Sequence, residues 1–254
     1  MPFVESGGIR IHYEIDGSGK PLLLAHGFTW DLRSWYDLGY VDCLKDEHRL
    51  ILIDSRGHGE SDKPHEPGAY EMQNRIQDIV AVLDELGLAK VGYLGWSRGG
   101  KEGYGMCRYA PARLSSLVVI SESAYGYSYA FFQEVFQHGI QERKKVVRDF
   151  PVPEVTKRRQ YKNDHRALHA AALCGTSDFG DILSSIEIPA LVMAGTEDFA
   201  YTGAKKSSMQ IPNASFISLP NLDHVGSFTH SEICLPYIQA FLRTTVSYWT
   251  TKNP

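Results

Sequence analysis

The chain has 254 residues, of which 43% are hydrophobic, 22% charged and 11% aromatic. A chain of that length buries about 70 to 75% of its unfolded surface, and the composition excludes disorder as the main state. Lys plus Arg number 26 against 30 Asp plus Glu, a formal net charge of −4, which excludes nucleic acid as the default partner because phosphate binding needs a sustained basic surface.

Met1 to Tyr13 alternates polar and apolar residues, with no basic region followed by an apolar stretch. No secretory signal is expected, and no apolar run approaches the roughly 20 residues that cross a bilayer. A cytoplasmic protein with no membrane partner is the expectation. Ile9, Ile11, Tyr13 and Ile15 alternate with Arg10, His12 and Glu14, the pattern of a strand with one wet face, and Asp16-Gly17-Ser18-Gly19 supplies a turn. Short apolar runs follow at Leu22 to Ala25, Leu50 to Ile53, Val91 to Leu94, Leu117 to Ile120, Ala190 to Ala194 and Phe216 to Leu219. Such runs suit strands of a parallel sheet buried on both faces.

Helical patterns lie between them. Met72, Ile76, Ile79, Val80, Leu83 and Leu86 share one face and Gly87 ends the helix. Ile233, Tyr237, Ile238, Phe241 and Leu242 repeat the pattern near the carboxyl end, and the polar tail beyond Leu242 is expected to fray. Alternating strands and helices predict an α/β layered fold.

One stretch, Ala124 to about Ile186, breaks the alternation and reads as a helical insertion. Residues 1–123 and 187–254 are expected to form the core domain and 124–186 a cap. Tyr125, Tyr127, Tyr129 and Phe131 alternate before Phe132, Val135 and Phe136 take up helical spacing. Tyr125 and Tyr127 are expected to line a pocket; Phe132, Val135 and Phe136 are expected to pack the cap onto the sheet. Arg143, Lys144, Lys145 and Arg148, flanked by Glu142 and Asp149, read as a wet helical face. Cys43, Cys107, Cys174 and Cys234 are far apart and read as reduced, mostly buried thiols. His165 and His169 have the spacing of a metal pair without a third ligand, so no metal or other cofactor is expected.

The chemistry concentrates at Gly95-Trp96-Ser97-Arg98-Gly99-Gly100, between a buried run and a helix-compatible stretch. A serine on a sharp strand-to-helix turn, with small residues two before and two after, has an exposed hydroxyl and faces the positive end of the helix. With His26-Gly27-Phe28, Asp54-Ser55-Arg56-Gly57-His58-Gly59-Glu60-Ser61-Asp62-Lys63-Pro64, Gly195-Thr196-Glu197-Asp198 and Asp223-His224 in that order, nearly the whole chain resembles the α/β-hydrolase family, in its serine esterase or lactonase branch with a short helical cap. The resemblance implies a mostly parallel sheet of about eight strands, helices on both faces and a cap inserted after strand 6. It also implies Ser97 as nucleophile, His224 as base, Asp198 as the orienting acid, and an oxyanion hole from the backbone N–H groups of Phe28 and Arg98. Glu122, at a strand end, is a rival for the acid. His26 and His58 are expected to brace loops.

Serine at the elbow excludes the aspartate-nucleophile branches of the family, the epoxide hydrolases and dehalogenases. An aromatic cap suggests an apolar pocket, with Trp96, Tyr125 and Tyr127 as substrate-binding residues. A small apolar carboxylic ester or lactone is the expected substrate. Carbon–carbon bond hydrolysis, perhydrolysis and a non-hydrolytic receptor or scaffold are the alternatives.

Overall fold

The computed structural model describes residues 2–138, 144, 145, 148 and 151–252, with side chains through Thr245. Two antiparallel strands, β1 (Phe3–Ser6) and β2 (Ile9–Asp16), open the chain. The alternation expected of β2 is interrupted, because His12 is buried and its Nδ1 donates to Asp54 Oδ2 at 2.7 Å. Ile15, conversely, is exposed. The strands β3 (Lys20–Ala25), β4 (His48–Ile53), β5 (Val91–Trp96), β6 (Leu114–Ile120), β7 (Ala190–Gly195) and β8 (Ala214–Leu219) contain the six apolar runs. They pair in parallel, and β2 joins β4 antiparallel, giving an eight-stranded sheet ordered β1-β2-β4-β3-β5-β6-β7-β8. β8 departs from the double-sided burial expected of it. It is an edge strand, and of Phe216 to Leu219 only Leu219 is fully buried.

Successive residues of the central strands feed two separate cores, as the pleat requires. Leu23 and Ile51 pack with Met72, Ile76, Ile79 and Leu83 from the helix Met72–Glu85. Leu22, Leu24, Leu50 and Leu52 share the opposite core with Trp35, Tyr40, Phe228 and Ile238. Gly87, with φ 64°, follows that helix where the periodicity placed its end. The C-terminal helix runs Ser231–Lys252, well beyond Leu242, where fraying was expected. Leu235, Ile238 and Leu242 anchor it in the second core. No helix among the described residues is long and apolar enough to cross a membrane.

Strand order reverses at β3, because β4 lies to one side of it and β5 to the other. The crevice at the carboxyl ends of β3 and β5 is therefore a topological switch point, where ligands of open α/β sheets bind. Between β6 and β7 the chain forms the helices Ala130–Gln137, Glu154–Lys162 and His165–Leu173, over that crevice. Asp164 caps the last of these by accepting from the N–H groups of Arg166 and Ala167 at 2.9 and 3.1 Å. The first and last of these helices share an apolar cluster with Phe28 and Tyr70. Arg159 fastens the middle helix to Asp31 at 2.9 Å and to Asp37.

Lys144, Lys145 and Arg148 are exposed, whereas Glu142, Arg143 and Asp149 of the same basic segment lie outside the described residues. The thiols are free, but only Cys234 is fully buried; Cys107 and Cys174 are half-buried and Cys43 is exposed. The expectation of mostly buried cysteines is corrected, since Cys43, on the short helix Tyr40–Leu44, is turned away from the side that buries Tyr40, Val41 and Leu44.

Candidate active site

Ser97 follows β5 directly and begins the turn into the helix Arg98–Tyr109. Its backbone has φ 52° and ψ −123°, a conformation that costs about 1 to 3 kcal/mol and persists only where the surroundings enforce it. The enforcement is a close approach. A Cβ on Gly99 would lie 2.1 Å from the Ala25 carbonyl oxygen, and one on Gly95 would lie 2.4 Å from the Gly99 carbonyl. The Arg98 N–H is the first of its helix and has no intrahelical acceptor, so it is available to an anion.

His224 and Asp198 sit on the loops after β8 and β7. The Glu197 N–H donates to the Leu222 carbonyl at 3.0 Å, and Gly195 passes so close that a Cβ there would meet that oxygen at 1.9 Å. These contacts set the two loops side by side. His224 Nε2 then lies 2.8 Å from Ser97 Oγ, and His224 Nδ1 lies 3.0 Å from Asp198 Oδ1. Burial pushes the Asp198 carboxyl up, but the hydrogen bond and charge of His224 outweigh this, with help from the Ala200 N–H, and hold it below the ordinary carboxylate range. Asp198 is thus a carboxylate at neutral pH, and a carboxylate acceptor at Nδ1 keeps the proton there and leaves Nε2 free to accept. Both ring assignments follow from these partners.

Glu122 does not approach His224 by hydrogen bond. Its carboxylate accepts from the Ser123 N–H at 2.8 Å and the Tyr127 hydroxyl at 2.9 Å, and it lies 3.4 Å from Lys101 Nζ. Burial pushes Glu122 up and Lys101 down, each opposed by the charge of the other.

Phe28 and Ser97 line one cavity of about 70 Å³. Trp96 and Tyr127 also line it, although Trp96 is nearly sealed by Phe228, stacked 4.3 Å away. Tyr125 does not line it. A Cβ on Gly180 would touch the Tyr125 ring, Lys206 Nζ lies 4.3 Å from its centroid, and its hydroxyl accepts from Gln210 at 2.7 Å. The pocket role expected of Tyr125 is corrected. Ser123 Oγ accepts the Tyr125 N–H at 3.1 Å, and this local turn replaces the extended chain that would have put both rings on one face. Phe132, expected to be packing, reaches the cavity and meets Phe28 edge-on at 5.2 Å. Besides His224, the lining is completed by Thr29, Trp30, Tyr129, Phe199 and Val225. Four of these five flank a motif residue or one another, and adjacency to Phe28, Asp198 and His224 is the sequence signal that could have found them.

The loop after β3 is held by histidines. His58 Nε2 accepts the Thr29 N–H at 3.1 Å while its Nδ1 donates to the Arg56 carbonyl at 3.1 Å. His26 Nε2 accepts the Ser55 N–H and its Nδ1 donates to the Gly27 carbonyl. Asp54 ties the region together, accepting from His12, the Leu32 N–H at 2.8 Å and the Glu60 N–H at 3.0 Å. Burial raises its carboxyl, and these donors outweigh burial to hold it below the ordinary range. Asp54→Ala leaves those donors buried without an acceptor and is expected to cost on the order of 3 kcal/mol in urea unfolding. A loss under about 0.5 kcal/mol, the usual scale of a surface substitution, would remove Asp54 from this role.

Among the described residues no group of three His, Cys, Asp or Glu is placed to hold a metal ion. His165 and His169 line a surface recess with His65, whose Nε2 lies 3.0 Å from Asp164.

The chain belongs to the α/β-hydrolase fold family, whose sequence model matches residues 20–151. It is 35% identical over 126 residues to a cis-3-alkyl-4-alkyloxetan-2-one decarboxylase from Shewanella oneidensis, a match covering 48% of this chain and 39% of that protein. Such matches span about two fifths of the length of the curated relatives concerned. The enol-lactonase from Burkholderia xenovorans shares the fold with a TM-score of 0.85 at 21% identity, over 95% of this chain and all (100%) of that one. A thermophilic esterase from Thermogutta terrifontis superposes with a TM-score of 0.80 at 25% identity, over 96% of this chain and 98% of that one. Both solved structures share the fold over nearly the whole chain.

Proposed function

We propose that the protein is a serine hydrolase of small, apolar carboxylic esters or lactones, acting through an acyl-enzyme. The carrying observation is the relay Ser97 Oγ to His224 Nε2 at 2.8 Å and His224 Nδ1 to Asp198 at 3.0 Å. A serine hydroxyl is a weak nucleophile and needs a base within that reach. Ser97 Oγ attacks the carbonyl carbon as its proton passes to His224 Nε2, and the oxyanion is received by the N–H groups of Phe28 and Arg98. His224 returns the proton to the leaving oxygen as the carbon–oxygen bond breaks. Water then attacks the acyl-enzyme with the same base, releasing the acid and restoring Ser97. No external cofactor enters this sequence, and the partner is the small-molecule substrate alone.

The esterase neighbour from Thermogutta terrifontis supports the ester reading. The cavity supports a small acyl group, because about 70 Å³ is well below the roughly 300 Å³ at which ordinary ligand pockets begin. Its apolar walls disfavour a charged one. A p-nitrophenyl ester series tests this. kcat/KM is expected to be greatest at acetate or propionate and to fall for longer chains, because each added methylene gains at most about 0.8 kcal/mol where it fits and clashes where it does not. Tyr125→Ala is expected to lower Tm while leaving that profile unchanged. A profile still rising at octanoate would contradict the short-acyl reading, and absence of turnover on every ester and lactone would contradict hydrolysis itself.

A further inference from the structure

We propose that Phe199 is a leaving-group platform, and that the preferred substrates pair a short uncharged acyl group with a flat aromatic alcohol. This deepens the ester-hydrolase reading and rests on it. Phe199 follows Asp198 directly, yet Asp198 is 6% exposed and Phe199 is 68% exposed. The Phe199 ring stacks on the His224 imidazole with centroids 4.5 Å apart and an interplanar angle of 27°, and it meets Tyr127 edge-on at 6.1 Å. A large apolar ring held open to solvent against the proton-transferring base is an unfilled contact surface.

The chemistry fixes which half of the substrate reaches it. When the tetrahedral intermediate collapses, the proton taken from Ser97 Oγ leaves His224 Nε2 for the alcohol oxygen as the carbon–oxygen bond breaks. That oxygen must then lie within hydrogen-bond reach of Nε2, about 3 Å, so the alcohol substituent starts beside the imidazole. The Trp96 ring, 5.6 Å from the imidazole, is 2% exposed and covered by Phe228, so that direction is closed. The open direction runs over Phe199. A flat ring laid there continues the aromatic stack, a geometry that aliphatic groups of the same size do not match.

The acyl half then lies away from Phe199, toward Phe28, Tyr129 and Phe132, in a cavity whose volume of about 70 Å³ leaves room for few heavy atoms. Among the described residues no Lys or Arg lines this cavity. The Tyr127 hydroxyl is turned to Glu122, and the Arg98 guanidinium lies behind the Phe28 ring, 5.1 Å from its centroid. An ionised acyl group would be buried without a partner.

Benzyl acetate and cyclohexylmethyl acetate have the same acyl group and similar leaving alcohols, but only one has a flat ring. The wild-type protein is expected to prefer benzyl acetate in kcat/KM by about three- to tenfold, the range of an aromatic pair. Phe199→Ala and Phe199→Leu should both bring the ratio to about one, and Phe199→Tyr should restore it. Leu keeps apolar area and loses the flat face, so its behaviour separates stacking from simple burial. A wild-type ratio near one, or a ratio that survives in the alanine variant, overturns the platform while leaving ester hydrolysis standing. No turnover of either ester, with no labelling of Ser97 by an organophosphonate, overturns the hydrolase reading and the platform with it.

Discussion

Ser97→Ala is expected to lower kcat on a simple acetate ester by at least about 10³-fold with an unchanged far-UV circular dichroism spectrum. The variant removes one oxygen and nothing that shapes the turn. The close approach of Gly99 to Ala25 and of Gly95 to Gly99 is backbone packing, and it holds position 97 at φ 52° whichever side chain stands there. What disappears is the nucleophile 2.8 Å from His224 Nε2. The N–H groups of Phe28 and Arg98 remain, so slow turnover by directly attacking water is the most that can survive. Activity retained within tenfold would mean that the acyl group never passes through Ser97.

Asp198→Asn is expected to lower kcat by about 10³- to 10⁴-fold, because it removes the charge that stabilises the imidazolium and can place an amide N–H against Nδ1. Nδ1 would then accept, the ring proton would sit on Nε2, and Ser97 would face a donor instead of a base. Glu122→Gln separates the two carboxylates. Its partners are the Ser123 N–H, Tyr127 and Lys101, so its loss should appear as about 1 to 3 kcal/mol of stability with little change in kcat. If the glutamine variant loses turnover as deeply as the asparagine variant, Glu122 and not Asp198 serves the base.

The sheet was legible in the sequence because strands buried on both faces must be continuously apolar. Ser97, Asp198 and His224 were named through the resemblance to the family, and the structure places them on the loops that follow β5, β7 and β8, at the carboxyl ends of the sheet. β8 broke the rule because an edge strand needs no second core, and Phe216 reads as buried only when a neighbour is assumed. His12 broke the alternation of β2 because Asp54, 42 residues away, supplies its partner. That pairing has no local signature.

The cavity walls were less legible. Tyr125 and Tyr127 share a face only if the chain between them is extended, and the Ser123 hydroxyl captures the Tyr125 N–H instead. Phe132 looked like packing at helical spacing, yet a ring at the start of its helix can serve both the cap core and the cavity. Phe199 carried no periodic signal, since its role comes from lying next to Asp198 and reaching across to His224. The C-terminal helix outran its apolar stripe because Leu235, Ile238 and Leu242 anchor its first turns and the helix continues to Lys252.

Intact-protein mass spectrometry after exposure to an organophosphonate ester tests the central claim most directly, because phosphonylation requires a serine oxygen activated by its base. The account predicts a single adduct, mapped to the peptide containing Ser97, absent from Ser97→Ala and formed far more slowly in His224→Ala. An adduct on any other residue, or no adduct from a protein that hydrolyses esters, would contradict it.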